Sequence, residues 1–284
     1  MDFIIEPVPL HETEYQSLIK LIYAKSGINL GEHKQELLKA RLGKRLRALG
    51  VKSYDEYFKY VTSPSHNEEL TMMINAISTN FTSFYREEKH YDFFSSVVLA
   101  DIVQKKTALH TNKIRGWCAA AATGEEPYSL GITLLEYFKE RASKWDIKLL
   151  ATDISTKVLG EAYHGTYPYE RVKTVPPVLL ERYFEKNPGE NGPCFRVKDE
   201  VRRLIIFKQL NLMDEVFPFK GTFDFIFCRN VMIYFDPATQ ERLVEKLLKY
   251  LQPGGYLFTS RSENLPPVFR GQMEALAPAV YRKN

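Results

Sequence analysis

Short apolar runs alternate with segments of helical periodicity from about residue 111 to the end of the sequence. The runs suit strands that are buried on both faces of a parallel sheet. They are KIRGWCAA, KLLATDI, RLIIFKQLN, FDFIFCRN and YLFTS, and the final VYRK can add one more strand. Because neighbouring parallel strands need a crossover connection, usually a helix, the alternation predicts a doubly wound α/β domain.

Residues 13 to about 85 show a different pattern, with apolar residues at helical spacing. The segments are TEYQSLIKLIYAKSG, KQELLKARLGKRLRALG, SYDEYFKYV and NEELTMMINAIST. Gly27 and Gly50 can end the first two helices, and Ser53 can cap the third. A chain of 284 residues has room for two domains. We predict an all-α domain over residues 1–85 and an α/β domain over residues 86–284.

The connection between the second and third core strands is unusually long for an α/β unit. Within it, ERYFEK and CFRVKD flank the turn-forming stretch NPGENGP, a pattern typical of a β-hairpin. The sequence therefore predicts a small antiparallel β-subdomain inserted at about residues 163–206. An added sheet edge presents unpaired backbone groups, with which an extended peptide can pair.

The composition excludes several functional classes. A net charge of +4 is low for a dedicated nucleic-acid binder. The three cysteines are too scattered for a disulfide framework or a zinc site, and the histidines lack the spacing of metal ligands. The first residues carry acids and a proline where a signal peptide needs basic residues, and no run approaches about 20 apolar residues. We expect a soluble, cytoplasmic protein with no metal and no direct membrane insertion.

A row of small residues lies between the first strand and the next helix, in RGWCAAAATGEEPYSLG. Small residues let a ligand approach the backbone, but G-x-G-x-x-G and Gly-Lys-Ser/Thr are both absent, so a phosphate cradle is not indicated. If Pro127 takes the first helical position, Glu126 falls at the N-cap, where glutamate is a poor choice. Its carboxylate is then available to a ligand ammonium group. The alternative is a capping box of Thr123 and Glu126.

The second core strand ends in LLATDIS, which places Asp153 at its carboxyl end. An acidic residue at this position commonly binds ribose hydroxyls in nucleotide-binding α/β folds. The alternative is that Asp153 only caps the helix that follows. The small-residue loop earlier in the sequence favours the ligand-binding interpretation.

Four motifs together resemble the chemotaxis receptor methyltransferase family, CheR: WCAAAATGEEPYS, ATDIS, FCRNVMIYF and NAISTNFTSFYRE. The resemblance covers nearly the whole chain. It implies a Rossmann-like class I methyltransferase domain, S-adenosylmethionine as methyl donor, S-adenosylhomocysteine as product, and glutamate side chains of methyl-accepting chemotaxis receptors as acceptors. One departure is that Cys118 stands where many methyltransferases carry an acid. Ala120 and Ala122 likewise stand where many carry glycine, which bears on the backbone contact to the cofactor.

The resemblance also implies a site that is shared between the two predicted domains. Arg86 and Tyr234 are its catalytic residues, since both could orient an acceptor carboxylate. The residues implied to contact the cofactor are Asn80, Thr82, Arg86, Glu125, Glu126, Asp153, Asn211, Leu212, Arg229 and Asn230. Without the resemblance, the same residues could serve as turn, cap, core or surface positions.

The second helical segment carries six basic residues against one acid in HKQELLKARLGKRLRALG. Arg41, Lys44 and Arg47 follow one another three apart, away from a leucine stripe. A basic face would attract the acidic receptor helices that the resemblance implies, although an ordinary solvated face is the alternative. A nucleic-acid methyltransferase would also explain the charge, but no N-P-P-Y motif is present. An adenosylmethionine-binding sensor without turnover is the third possibility.

The predicted hairpin is a second candidate for contact with a partner. The resemblance implies that it tethers the C-terminal tail of a receptor. Lys198, Arg202 and Arg203 follow it closely and could meet an acidic tail. Alternatively, the hairpin only covers the edge of the sheet.

Overall fold

The computed structural model describes residues 8–31, 33–189 and 192–284. In its N-terminal part, the predicted helical segments form α1 (Glu12–Ser26), α2 (Gln35–Leu49), α3 (Tyr54–Thr62) and α4 (Asn67–Ile77). Gly27 and Gly50 adopt left-handed conformations at the ends of α1 and α2, and the Ser53 hydroxyl caps α3. The buried faces of these helices form one apolar cluster, so the helical region has its own core.

A helical segment that the sequence analysis did not identify leads into the sheet. It consists of α5 (Lys89–Phe93), one π-helical turn (Phe94–Val98) and α6 (Leu99–Ala108). The Phe94 ring packs edge-on against the Phe225 ring of the sheet, with 4.7 Å between their centroids. The segment therefore covers one face of the sheet.

The strands and helices of the α/β region follow in the order β1 (Lys113–Cys118), α7 (Glu125–Phe138), β2 (Asp146–Asp153), α8 (Thr156–His164), β3 (Thr166–Pro168), α9 (Tyr169–Val172), α10 (Pro177–Tyr183), β4 (Phe184–Asn187), β5 (Cys194–Val197), α11 (Asp199–Arg202), β6 (Ile205–Gln209), β7 (Phe223–Phe227), α12 (Pro237–Tyr250), β8 (Leu251–Phe258), β9 (Met273–Ala277) and β10 (Val280–Lys283).

Seven of these strands form one sheet in the described residues, in the order β6-β2-β1-β7-β8-β10-β9. The five strands from β6 to β8 are parallel, and β10 is antiparallel to both of its neighbours. Successive β7 residues face opposite sides: Phe225 joins the cluster that contains α7, and Ile226 joins the one that contains α12. Helices thus cover both faces, which confirms the predicted α/β class.

A second, three-stranded antiparallel sheet has the order β3-β5-β4. Strands β4 and β5 are the arms of the predicted hairpin, and Asn187 pairs with Cys194 at the end next to the turn. Residues 190 and 191 of the predicted turn lie outside the described residues. The small antiparallel β-subdomain is confirmed.

Within the described ranges, no helix combines the length and the apolar character needed to cross a membrane. The same residues contain no group of three or more His, Cys, Asp or Glu side chains placed to hold a metal ion.

Candidate active site

A cavity lies where the carboxyl ends of the parallel strands meet the helical region. This edge is where open α/β sheets bind ligands. The sheet side of the lining consists of Ala119, Ala120, Ala122, Glu126, Asp153, Ile154, Leu210, Asn211, Leu212, Arg229, Asn230, Val231, Tyr234 and Phe235. The helical region and the segment that follows it contribute Ser26, Ile28, Asn29, Leu30, Lys34, Leu37, Ile77, Ser78, Thr79, Asn80, Phe81, Thr82 and Arg86.

The small-residue loop after β1 turns sharply into α7. Ala122 has a φ of 46°, in the left-handed region that alanine adopts only at a cost. Gly124 has a φ of 97°, and a Cβ there would lie 2.9 Å from the Ala162 Cβ. Helix α7 begins at Glu125 with Gly124 as its N-cap. The expectation that Pro127 takes the first helical position was therefore wrong, and no side chain caps this helix, which also removes the capping-box alternative.

Asp153 ends β2 with its carboxylate at the cavity wall. One oxygen accepts a hydrogen bond from the Ala122 N–H at 2.9 Å, and the other accepts one from the Ser155 N–H at 2.9 Å. Burial raises the pKa of Asp153, while these backbone donors act to lower it. The side chain that caps α8 is that of Ser155, not Asp153. The capping alternative for Asp153 does not hold.

The two glutamates of TGEEPYS point in different directions. Glu126 lines the cavity, where its carboxylate accepts a hydrogen bond from Arg229 Nη1 at 2.6 Å and one from the Cys118 thiol at 3.1 Å. Glu125 is fully buried, pairs with Arg171 and the Thr123 hydroxyl, and does not line the cavity. Of the two glutamates, Glu126 is therefore the one whose carboxylate faces the cavity.

Arg229 connects the two sides of the cavity. Its side chain is fully buried, and besides Glu126 it donates a 2.6 Å hydrogen bond from Nη2 to the Arg86 carbonyl oxygen. Charge-assisted hydrogen bonds of this kind are about twice as strong as neutral ones. Cys118, which stands where an acid is common, has its pKa raised by burial and so stays a neutral thiol that donates to Glu126. Arg229 therefore lines the cavity itself and fixes the Glu126 carboxylate by a hydrogen bond.

Asn211 and Leu212 follow β6, and both line the cavity. The Asn211 Nδ2 donates to the Lys25 carbonyl oxygen at the end of α1, at 2.7 Å, and its Oδ1 accepts from the Met213 N–H at 3.0 Å. Leu212 is buried and offers an apolar wall. Leu212 thus suits a flat ring, whereas the Asn211 amide joins the helical region to the sheet.

Both predicted catalytic residues line the same cavity. Arg86 is half-buried, and its Nη1 donates to the Phe81 carbonyl oxygen at 3.1 Å. Tyr234 is half-buried at the end of a 3-10 turn before α12. Asn80 and Thr82 line the cavity on the Arg86 side, as the resemblance implied for a shared site.

Asn230 has a φ of 57°, and its backbone N–H donates to Glu263 at 2.8 Å. Glu263 is buried and also accepts hydrogen bonds from the N–H groups of Ser260 and Ile233. It therefore holds the loop that carries Arg229 and Tyr234. Sequence reasoning missed Glu263, because no motif surrounds it and its partners lie up to 33 positions away.

Phe81 is a residue of the cavity that sequence reasoning also missed. Its side chain is 79% exposed although it lines the cavity, which places it at the opening. Within the motif NAISTNFTSFYRE, the resemblance implies roles only for Asn80, Thr82 and Arg86. The signal in the sequence was an aromatic residue between Asn80 and Thr82, two predicted contact residues.

The basic residues of α2 do not form one free face. The Arg41 guanidinium donates to the Ser78 carbonyl oxygen at 2.9 Å, and also to that of Ile77, so it caps the end of α4. Arg45 forms an ion pair with the buried Glu69, and Lys39 pairs with Glu36 at 2.8 Å. The expectation that Arg41, Lys44 and Arg47 act together was therefore wrong for Arg41. Lys34, Lys44 and Arg47 are exposed.

The cavity walls fit an adenosyl amino acid. Asp153 offers acceptors to paired hydroxyl groups, Glu126 offers an anion to an ammonium group, and Leu212 and Ile154 offer apolar surface to a base. The alanines leave room at the backbone, and Arg86 and Lys34 add positive charge near an acidic acceptor.

Comparison with known families matches two successive parts of the chain. The all-alpha domain of the CheR methyltransferases matches residues 13–78, and their SAM binding domain matches residues 80–278. A chemotaxis protein methyltransferase of Borreliella burgdorferi is 39% identical, over 98% of this chain and 96% of its own. Those of Pseudomonas aeruginosa (40%, over 88% of this chain and 86% of its own) and Escherichia coli (38%, over 91% and 87%) are similar to the same extent.

Proposed function

The chain belongs to the CheR methyltransferase family, and from this premise we propose how its cavity transfers a methyl group. The protein is an S-adenosylmethionine-dependent methyltransferase that acts on glutamate side chains of chemotaxis receptors. The residue assignments rest on one observation. The side chains of Asp153, Glu126, Arg86 and Tyr234 all line the same cavity.

We assign the cofactor contacts from the chemistry of the lining. Asp153 accepts hydrogen bonds from the ribose hydroxyls, and Glu126, oriented by Arg229, binds the methionine ammonium group. Leu212 packs against the adenine. Asn80 and Thr82 complete the cavity from the opposite side. Bound S-adenosylmethionine supplies an activated methyl group on a sulfonium.

The acceptor carboxylate needs little chemical help from the protein. A glutamate side chain is ionised near neutral pH, so no general base is required. The protein contributes by removing water from the carboxylate and by holding it in line with the methyl group, effects that can supply several kcal/mol. Arg86 and Tyr234 hold the carboxylate from two sides.

The hydrogen bond between Arg86 and the Phe81 carbonyl oxygen limits how tightly Arg86 binds an acceptor. A bidentate clamp would stabilise the carboxylate before the reaction and so raise the barrier to transfer. With Nη1 already engaged, Arg86 has fewer donors to offer. Arg86 can therefore orient the acceptor carboxylate without binding it so tightly that it no longer reacts.

Incubation of the protein with tritiated S-adenosylmethionine and receptor-containing membranes tests the function. We expect base-labile methyl esters on the receptors. Binding of the donor without labelled receptor would indicate a sensor without turnover. Label in added RNA or DNA, with steep salt dependence, would indicate a nucleic-acid methyltransferase.

We further propose that the β-subdomain tethers a receptor tail, in a protein that works in the cytoplasm. In the three-stranded sheet, β3 and β4 are the edge strands, and an extended tail peptide can add to such an edge. A tether raises the local concentration of enzyme near the receptor even when it binds weakly. Of the nearby cations, Lys198 donates to the Arg182 carbonyl oxygen at 2.7 Å and Arg202 pairs with Asp199 at 3.1 Å, so backbone pairing carries the proposal.

Calorimetry with synthetic receptor-tail peptides tests the tether. We expect saturable binding that is lost when residues 188 to 194 are shortened. The same shortening should leave S-adenosylhomocysteine affinity unchanged, because the cavity lies outside the β-subdomain. An absence of binding at millimolar peptide would refute the tether but not the methyltransferase activity.

A further inference from the structure

Three hydrogen bonds join the α1 end of the helical region to loops that line the cavity. The Tyr23 hydroxyl donates to Asp236 Oδ2 at 2.6 Å, and the Asn29 N–H donates to the Tyr234 carbonyl oxygen at 2.8 Å. Asn211 Nδ2 donates to the Lys25 carbonyl oxygen. Two of these bonds end on the segment from residue 234 to residue 236.

Asp236 is central to these contacts because its carboxylate both caps α12 and binds Tyr23. Its Oδ1 accepts the Thr239 N–H at 3.0 Å, which caps α12. Its Oδ2 accepts the hydroxyls of Tyr23 and Thr239. The Tyr23 hydrogen bond is also the main cause of a lowered pKa at Asp236, so the carboxylate stays ionised and keeps both tasks.

The Tyr234 turn is held from the sheet side by other groups. Gln240 Nε2 donates to the carbonyl oxygens of Met232 and Phe235, and Glu263 accepts from the Ile233 N–H at 3.3 Å. The helical region adds the contacts from Tyr23 and Asn29 at the C-terminal end of the turn. The position of Tyr234 therefore depends on both parts of the chain.

We propose that Tyr23 is a positioning residue for methyl transfer, acting through Asp236 on the turn that carries Tyr234. The inference rests on the proposed function, in which Tyr234 orients the acceptor carboxylate. A displacement of a reacting group by about 1 Å can cost about 100-fold in rate, so a loosened turn slows transfer without emptying the cofactor site.

The test variant is Tyr23→Phe, which removes one hydroxyl from a side chain that is 39% exposed. The cap of α12 through Asp236 Oδ1 remains. We expect kcat for receptor methylation to fall by about three- to tenfold, with the Kd for S-adenosylhomocysteine within about twofold of wild type and the Tm little changed.

Thr156→Val is the matched control. Its hydroxyl accepts a hydrogen bond from Asn75 at 3.4 Å, also between the helical region and the α/β region, but neither residue lines the cavity. We expect wild-type kcat. An equal loss of kcat in Thr156→Val would show that any contact between the two parts matters equally, and would overturn a specific role for Tyr23.

A double-mutant cycle distinguishes a failure of this inference from a failure of the proposed function. If Tyr23 acts through Tyr234, the variant with both Tyr23→Phe and Tyr234→Phe loses no more activity than Tyr234→Phe alone, within about twofold. Independent, multiplying losses would overturn the inference. A Tyr234→Phe enzyme with wild-type methyl transfer would instead refute the role proposed for Tyr234.

Discussion

At the scale of single residues, the clearest prediction about cofactor binding concerns Asp153. We expect Asp153→Ala to weaken S-adenosylmethionine binding by about tenfold or more, because a hydrogen bond to a charged group contributes about 1.5–3 kcal/mol. Isothermal calorimetry measures the change. Ser155→Ala, which removes the cap of α8 but not the carboxylate, is the control and should keep most of the affinity. An unchanged Kd in Asp153→Ala would refute the ribose assignment.

Ala122 is one of the two residues where the loop departs from the glycine that many methyltransferases carry. Its φ of 46° costs an alanine about 1 kcal/mol relative to glycine, part of which the greater freedom of glycine in the unfolded chain offsets. We expect Ala122→Gly to raise the free energy of unfolding by about 0.5 kcal/mol in urea titrations. Ala120→Gly, at a residue without positive φ, should instead lower it.

At the scale of elements, α2 contains basic residues with two separate tasks. The ion pair of Arg45 with buried Glu69, which also accepts the Tyr57 hydroxyl at 2.8 Å, holds α2, α3 and α4 together. We expect Arg45→Ala to lower the free energy of unfolding by about 2–3 kcal/mol, since it leaves a buried charge unpaired. Chemical denaturation followed by circular dichroism measures this loss.

The exposed cations of α2 provide the contrasting variant. Lys44→Ala combined with Arg47→Ala should leave stability within about 0.5 kcal/mol, because neither side chain is buried. In the proposed function the pair attracts acidic receptor helices, so KM for receptor should rise while cofactor affinity stays constant. A receptor KM equal to that of wild type would show that Lys44 and Arg47 only keep the surface hydrated and do not attract the receptor.

Periodicity and cap residues were enough to predict α1 to α4 and the parallel strands. They missed α5 and α6, where a π-helical turn interrupts the spacing that identifies a helix. They also misplaced the start of α7, because the left-handed Gly124 lets the helix begin before Pro127. Such features depend on tertiary packing, which local patterns do not record.

At the scale of the whole molecule, His90 links acid sensitivity to the contact between α5 and the C-terminal strands. It is buried, its Nε2 lies 3.3 Å from the Pro278 carbonyl oxygen, and its Nδ1 lies 3.4 Å from Glu87. Burial, followed by the nearby charge of Arg229, lowers its pKa below 6.5; Arg261 acts in the same direction, and Glu87 opposes it. The folded protein thus holds His90 neutral where the unfolded chain takes up a proton.

A lowered histidine pKa destabilises the fold at acidic pH. The stability is complete above the ordinary pKa of 6.5 and declines as the pH falls towards the folded-state pKa. We expect the free energy of unfolding to fall below pH 6.5 by up to about 1.4 kcal/mol per pH unit from this group. His90→Gln should show a shallower slope between pH 7 and pH 5.5. Parallel slopes for the two proteins would contradict the assignment.

The site was less predictable than the fold. The predicted site residues include ten of the 27 that line the cavity, but Asp153 and Asn80 come together only because the helical region packs over the sheet edge. Glu125 and Glu126 are neighbours in the sequence, and only the first turn of α7 decides that one faces Arg171 and the other Arg229. The Tyr23 contact joins positions 213 residues apart, beyond the reach of any local pattern.

The walls of the cavity run from Ser26 to Phe235 in a chain of 284 residues, which has a consequence for the order of synthesis. A ribosome completes α1 to α4 first, yet their inner surface has no counterpart until the strand and turn before α12 have been made. The nascent helices have an apolar core of their own. Their cavity-lining residues, however, face no opposite wall until the rest of the lining has been translated. The site for the methyl donor is therefore complete only after the chain has been made at least as far as Phe235.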